Sequence, residues 1–383
     1  MTELDELMKQ THSLLRGGGE GTIYDFGNGR LAKVYHPALR SDYRSNKVKW
    51  LVNHRFSGEF ARIIAWPDEA ITDHGVIVGF TMPKLEANPL AELLNNDNTF
   101  TVDWKIRATI CRNIAAITTH LHREGIVVGD LHASNFGYDA GTGKVVLYDV
   151  DSLQFRDGKR LYLCEVAHDD TRPPELAKID LSRTEALCED TDNYMLAITV
   201  FQLLIGAHPY AGTRAADRAS SESGILSRAA LEGEFVFETD KSSVPVYAAA
   251  YEVTSPAHDL FKRCFIEGAS DPNARPSALE WENILAEMAR EEMAICQTHG
   301  NYPARMSSCP FCEAKSPVIT TSACKSTPQP IQQKGGKPPG SASTSPNDSA
   351  LGIVAKIVLG ILAVVVGITL LPVILVFAVL DEL

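Results

Sequence analysis

The sequence predicts an α+β fold in two lobes, a small β-rich one and then a helical one. A compact Cys/His cluster and a single C-terminal transmembrane helix are expected behind them. Three observations carry this prediction. Strand-like runs punctuated by glycine crowd the segment before Lys84, whereas apolar-periodic helical segments at Trp104–His122, Asp190–Leu204 and Ala278–Glu291 dominate the segment after it. After Glu313 the composition switches to Ser, Pro, Gly, Lys and Thr, and then to an uncharged apolar run, Ile357–Leu380. The expected boundaries are 12–292 for the two lobes, 293–313 for the Cys/His cluster, 314–350 for a linker and 351–380 for the membrane span.

Composition sets the outer limits. The chain has 383 residues, 45% of them hydrophobic and 22% charged, which suits a globular domain with a sizeable core. Its formal net charge of −12 argues against a nucleic-acid partner, because a phosphate backbone demands clustered Lys and Arg. Eight Cys are scattered along the chain, and only Cys296, Cys309 and Cys312 show deliberate spacing. That pattern suits a reducing compartment better than a disulfide framework. Met1–Arg16 mixes acidic and apolar residues and has no signal-peptide core, so the folded region is expected in the cytoplasm.

In the first lobe, the run Gly17-Gly18-Gly19-Glu20-Gly21-Thr22-Ile23 is dense in glycine. Glycines let the N–H groups of a turn approach phosphate oxygens with no Cβ in the way. Gly18, Gly19, Gly21 and Ile23 are therefore candidate nucleotide contacts. The strand-like run Arg30–Tyr35 carries one inward lysine, Lys33, placed to grip the same phosphates. Arg62–Trp66 and Gly75–Phe80 read as two further strands. Thr81-Met82-Pro83-Lys84 then turns out of the sheet, where a hinge carrying backbone contacts to adenine would lie, and Met82 joins the candidates.

In the second lobe, the amphipathic helix Trp104–His122 delivers the chain to Val127-Val128-Gly129-Asp130-Leu131-His132-Ala133-Ser134-Asn135. Short strands are expected at Asn135–Tyr138 and Lys144–Tyr148. An Asp followed five positions later by an Asn suits phosphoryl transfer: the carboxylate Asp130 orients a hydroxyl and takes its proton, and the amide oxygen of Asn135 holds a metal ion. Asp149, at the end of the following strand, is placed to chelate Mg²⁺ against the phosphates. Further on, Pro174-Glu175 and Ala274-Arg275-Pro276 supply an expected buried ion pair, Glu175–Arg275.

Together these features resemble the eukaryotic-type protein kinase fold over roughly Leu14–Ala289, with the motifs in the family's order. Asp192 also falls where a motif of that family would place it. The phrases Ile64-Ala65-Trp66-Pro67, Gly79-Phe80-Thr81-Met82-Pro83 and Asp149-Val150-Asp151-Ser152 are similar to a bacterial group in which a kinase domain precedes a small zinc motif. Members of that group are associated with von Willebrand factor A domain proteins and metal-dependent phosphatases of tellurite-resistance-related systems. The resemblance implies a Ser/Thr protein kinase that uses ATP and Mg²⁺ on a protein substrate. Lys33 would hold the α- and β-phosphates, Asp130 would act as the catalytic residue, and Asn135 and Asp149 would bind Mg²⁺. Three positions depart from the pattern. Val128-Gly129 stands where His-Arg would precede the Asp, so an activation-segment phosphate has no Arg to dock on. Asp151 replaces the Gly of Asp-Phe-Gly. No acidic residue lies between Asp42 and Glu59, where a helix Glu would pin Lys33, so that partner is replaced or supplied elsewhere. The alternatives are a nucleotide-binding pseudokinase serving as a membrane-tethered interaction module, and a small-molecule phosphotransferase of the aminoglycoside or choline kinase type. The latter type lacks the Pro-Pro-Glu segment, its Arg partner and the dense glycines.

Behind the lobes, Cys296-x2-His299-x9-Cys309-x2-Cys312 offers four ligands for a structural Zn²⁺. The linker cannot bury a core. The 24 residues Ile357–Leu380 would form a helix of about 36 Å, enough to cross a hydrocarbon core of about 30 Å. Lys325, Lys334, Lys337 and Lys356 precede the run, and Asp381 and Glu382 lie beyond it. By the positive-inside rule the lobes face the cytoplasm. The expectation is a tail-anchored, single-pass protein of the bacterial inner membrane.

Overall fold

The structure, a computed structural model, describes residues 2–10, 13–94, 102–212, 225–241 and 245–313. Its first lobe is a six-stranded sheet built from β1 (Thr2–Glu3), β2 (Ser13–Gly17), β3 (Gly21–Asp25), β4 (Arg30–Tyr35), β5 (Glu69–Asp73) and β6 (Val76–Pro83), in the order β1-β5-β6-β4-β3-β2. Strand β4 lies in the middle, pairing antiparallel with β3 (Ile23 opposite Lys33) and with β6 (Lys33 opposite Phe80). Close approach of β6 and β4 needs Gly79, because a Cβ there would collide with the Lys33 carbonyl oxygen. The β1 strand runs parallel to β5, and α1 (Leu4–Gln10) comes next with Leu7 buried against the sheet core.

Two sequence expectations need correction here. Arg62–Trp66 is not a strand: Phe60–Ile63 forms a short helix, α3, and Ile64 makes a single bridge to Leu147. Ile64, Ala65 and Trp66 are buried, and the Trp66 indole donates to the Leu51 carbonyl oxygen at 2.8 Å. A short apolar run fits a core plug as well as a strand, and periodicity cannot separate the two. Thr81–Pro83 does not leave the sheet either, since β6 runs through Pro83 and the chain departs at Lys84.

The helix α2 (Asp42–Asn53), capped by the Ser41 hydroxyl, packs beside the sheet, its Ser45 hydroxyl donating to the Ile77 carbonyl oxygen at 3.3 Å. After the short helix α4 (Leu90–Leu93), the second lobe is organised by α5 (Trp104–Arg123) and α6 (Glu189–Ile205). One face of α5 buries Ile110, Ile114, Ile117 and Leu121, as the sequence pattern predicts. Nearly every residue of α6 is buried, so its composition is apolar all round rather than striped. Its last carbonyls are satisfied by buried Arg107, whose Nη1 donates to the oxygens of Leu203 and Leu204 at 3.2 and 2.9 Å. Short strands β8 (Phe136–Tyr138) and β9 (Val145–Leu147) form where expected, and β8 also pairs with β7 (Asn88–Pro89). Strands β10 (Phe155–Asp157) and β11 (Arg160–Tyr162) pair antiparallel after the Asp149 turn, and a hairpin of β12 (Met293–Cys296) and β13 (Gly300–Pro303) carries the first half of the Cys/His cluster. The linker and the apolar run beyond residue 313 lie outside the described residues. Among the described residues, no helix is long and apolar enough to cross a membrane.

Candidate active site

A cleft of about 400 Å³ gathers the candidates named from the sequence. Gly18, Gly19, Gly21, Ile23, Lys33, Met82, Asp130, Asn135 and Asp149 all line it. One part of the lining is apolar, formed by Leu31, Ala65, Phe80, Met82 and Leu85 beside Ile23, and the other is ionic. That size and division suit a nucleotide-sized ligand with a flat ring at one end and charge at the other. A Cβ at Gly17 or Gly19 would meet nothing within 4 Å. Internal packing does not demand these glycines, whereas close approach of a ligand to the turn would.

Lys33 is buried in the ionic part, and its ammonium touches three carboxylates: Asp149 at 2.5 Å, Asp151 at 2.7 Å and Glu20 at 3.2 Å. Burial alone would lower its pKa; the charges of Asp151, Asp149 and Glu20 overcome this and hold it far above the ordinary lysine value. Asp151 is sealed from solvent, and its second oxygen accepts from the Tyr35 hydroxyl at 2.8 Å. Its own carboxyl feels burial pushing the pKa up, but the Lys33 charge and hydrogen bond bring it below the usual value. Asp149, in a left-handed backbone conformation with φ 54°, is pushed up to about 6 by burial and by the neighbouring Asp151 charge. Glu20 reaches over from the glycine turn and also accepts from Arg44 on α2 at 2.9 Å. Where a helix acid would point at Lys33, α2 instead carries Arg44 and Lys47. Lys47, pulled down to about 8 by burial, donates to the Leu163 carbonyl oxygen at 2.9 Å.

The opposite wall is the loop Val127–Asn135. Asn135 Nδ2 donates to the Asp130 carbonyl at 2.9 Å, which folds the loop and brings both side chains to the cleft. Burial pushes the Asp130 carboxyl up, but hydrogen bonds from His132 and Asn135 and from the His168 backbone outweigh it and hold the group below the usual range. His132 sits 3.3 Å from that carboxylate and stacks on His168 with ring centres 4.4 Å apart. The loop is held from behind by Asp192 on α6. Its carboxylate accepts from the backbone N–H groups of Val128 and Gly129, each at 2.7 Å, and contacts His122 Nε2 at 2.9 Å. Gly129 has φ 75°, and a Cβ there would fall 2.7 Å from the Cys164 Cβ. No side chain fits at that position, which explains the missing basic residue before Asp130.

The expected Glu175–Arg275 pair forms as a bidentate fork at 2.7 and 2.8 Å, but only its guanidinium is buried, the Glu175 carboxylate keeping contact with solvent. Sequence reasoning assigns no role to Glu20, Tyr35 or His132 and gives Asp151 only as a departure. The available signals are an acid inside the glycine run and an Asp-x-Asp where one Asp is expected.

Cys296, His299, Cys309 and Cys312 bring their ligand atoms within 4.8 Å of one another. His299 turns Nδ1 towards the three sulfurs at 3.7, 3.6 and 3.3 Å, and Cys296 and Cys312 sulfurs are 3.5 Å apart. A tetrahedron with metal–sulfur bonds of about 2.3 Å has edges of about 3.8 Å, so the four groups fit Zn²⁺. The backbone N–H groups of Thr298 and His299 pull the Cys296 thiol down to about 6, and hydrogen bonding with Cys296 pushes Cys312 up to about 11, so the first negative charge of the cluster falls on Cys296. A second gathering of acids, Glu20, Asp149 and Asp151, lies around Lys33 in the cleft.

No protein-family model matches the chain. Among curated proteins, it is 28% identical over 320 residues to the protein kinase YegI of Escherichia coli K12, an alignment that covers 77% of this chain. It is 27% identical over 321 residues to the protein of the same name from Escherichia coli O157:H7. The chain spans about half the length of these relatives, 47% in each case. With the site geometry, these similarities make the chain a distant homologue of a bacterial protein kinase.

Proposed function

We propose that the chain is a protein kinase that transfers the γ-phosphoryl group of Mg-ATP to Ser or Thr hydroxyls of a protein substrate. The observation that carries this reading is the convergence of Lys33, Asp130, Asn135 and Asp149 on one cleft with an apolar pocket beside them. Asp130, held ionised, accepts the proton of the attacking hydroxyl as its oxygen bonds to the γ-phosphorus. The bond from that phosphorus to the bridging oxygen breaks, and ADP leaves. Lys33 would hold the α- and β-phosphates. Asn135 and Asp149 would hold Mg²⁺, which neutralises charge on the phosphate oxygens. The Glu175–Arg275 fork favours a protein kinase over a small-molecule phosphotransferase, because it ties the segment after the metal-side loop to the last helices.

Zn²⁺ would be held by Cys296, His299, Cys309 and Cys312, with no open position for chemistry. Membrane tethering is supported by the length and apolar character of Ile357–Leu380. Association with von Willebrand factor A domain proteins and metal-dependent phosphatases is supported by the sequence resemblance. Incubating the full chain with γ-labelled ATP, Mg²⁺ and candidate protein substrates tests the central reading. Label should enter protein Ser or Thr with the parent and not with Asp130→Ala. Nucleotide binding without transfer would make the chain a pseudokinase instead.

A further inference from the structure

Two departures of this chain meet at one atom. The helix α2 offers no acid to Lys33, and the loop after β9 has an extra acid, Asp151, whose oxygen lies 2.7 Å from the Lys33 ammonium. We infer that Asp151 is the positioning residue that fixes Lys33 for the nucleotide phosphates, in the place of an acid on α2. The inference rests on the phosphoryl-transfer reading of the cleft.

The three carboxylates around Lys33 are not equivalent. Side-chain exposure is 40% for Asp149, 31% for Glu20 and 2% for Asp151. Glu20 also engages both oxygens, with Lys33 and Arg44, but in partial contact with solvent. Asp151 does so while sealed, giving one oxygen to Lys33 and the other to the Tyr35 hydroxyl. Lys33 and Tyr35 are two apart on β4, hence on one face of the strand. Asp151 bridges them and so locks the lysine side chain to the strand that bears it. Asp149 and Glu20 are the solvent-accessible members of the three, so phosphates and metal entering the cleft would compete for them.

The charges on α2 are arranged to support Asp151 rather than to replace it. Lys47 and Asp151 line the same small recess with Tyr35 and Arg44. Arg44 pairs with Glu20 and, at 3.5 Å, with Glu165. An α2 displacement would therefore leave the Lys33 anchor in place, because that anchor travels with the metal-side loop. A bland alternative is that Asp151 only neutralises a buried cation and that Lys33 positioning is indifferent to it.

The test compares the full-length parent with Asp151→Asn and with Asp151→Gly, measuring KM for ATP, kcat and the amine reactivity of Lys33. Asp151→Asn should raise KM for ATP about tenfold or more and speed trinitrophenylation of Lys33, read by peptide mass spectrometry without nucleotide. Tyr35→Phe, which removes one hydrogen bond and no charge, should shift both in the same direction by about threefold. Placing an acid back on the helix, Lys47→Glu in the Asp151→Gly background, should recover a measurable part of the lost ATP affinity. Parent-like KM and labelling in Asp151→Asn would overturn the inference. So would a general loss of activity with unchanged Lys33 labelling and no rescue by Lys47→Glu, which marks a merely structural acid. If the parent itself transfers no phosphoryl group, the kinase reading fails, while the labelling of Lys33 still decides whether Asp151 anchors it.

Discussion

The two walls of the cleft are each held from behind by a buried acid, but the acids come from different kinds of element. On the Asp130 wall, the acid is Asp192 on the long helix α6, accepting from two backbone N–H groups. On the Lys33 wall, the neighbouring helix α2 contributes cations and a three-residue turn supplies Asp151. The requirement is a sealed negative charge at a fixed distance, and the fold is indifferent to which element delivers it. The Asp130 wall keeps its anchoring Asp at the expected place while departing at Val128-Gly129, and on the Lys33 wall the sealed acid comes from a turn instead of a helix.

Breaking the first anchor should have the largest effect. Asp192→Ala leaves two buried N–H groups and His122 without their acceptor, at a cost of about 3 kcal/mol or more. Urea denaturation should show that loss, together with abolished phosphoryl transfer. A variant that stays as stable as the parent would mean that water or a neighbouring group replaces the carboxylate.

The same contrast explains how much is legible in the sequence. Asp192, Glu175 and Arg275 stand at the spacing of a known pattern; the structure joins Asp192 to buried backbone N–H groups and Glu175 to the buried Arg275 guanidinium. Lys33, Asp130, Asn135 and Asp149 are likewise placed by spacing, and they line one cleft. The anchor of Lys33 is not legible, because Glu20 and Asp151 reach it across 13 and 118 positions of sequence. No local periodicity encodes such contacts. The buried plug at Ile64–Trp66 reads as a strand for a related reason: tertiary packing, not alternation, decides the state of a short apolar run.

The Cys/His cluster can sharpen the comparison by supplying a region that should be independent of both walls. Cys309→Ser should abolish zinc binding, read by metal analysis of the purified chain. Hydrogen exchange should accelerate in residues 293–313 and stay unchanged in β4 and in the Asp130 loop. Faster exchange spreading into the cleft would show that the hairpin supports the catalytic lobes.

Asp149 tests the exposed side of the Lys33 wall, and here function and stability should move in opposite directions. Its carboxyl is raised to about 6, so the native state holds a proton over a range where the unfolded chain, with an ordinary Asp near about 3.9, has lost it. The unfolded state binds fewer protons there, and this group's contribution to stability falls as pH rises from about 3.9 to about 6. Asp149→Asn should therefore stabilise the nucleotide-free protein at neutral pH, by about 1 kcal/mol or less because solvent screens a half-exposed group. It should also abolish phosphoryl transfer. In the parent, Mg²⁺-dependent transfer should weaken as pH falls through about 6, since a protonated carboxyl does not chelate. Undiminished transfer in Asp149→Asn would remove Asp149 from the metal site.

The smallest effect is expected at Thr171, and its cause is Gly129. A phosphate on the segment before Pro173 would need a cation beside Asp130, and the backbone at Gly129 leaves no room for a side chain because Cys164 fills the space. Thr171 itself is buried, with its N–H donating to the His168 carbonyl oxygen at 3.1 Å. The guanidinium of the adjacent Arg172 is turned to the Ala167 carbonyl oxygen at 3.4 Å. A modified Thr171 would have to leave its buried position, and no arginine before Asp130 would receive the phosphate. Thr171→Ala should keep kcat/KM within about threefold of the parent, the small loss reflecting a weak internal contact. A fall of about tenfold, equivalent to roughly 1.4 kcal/mol, would instead show that a phosphate on this segment is docked by a cation elsewhere. In that case the wall around Asp130 would be governed by modification after all, and its anchor would extend beyond Asp192.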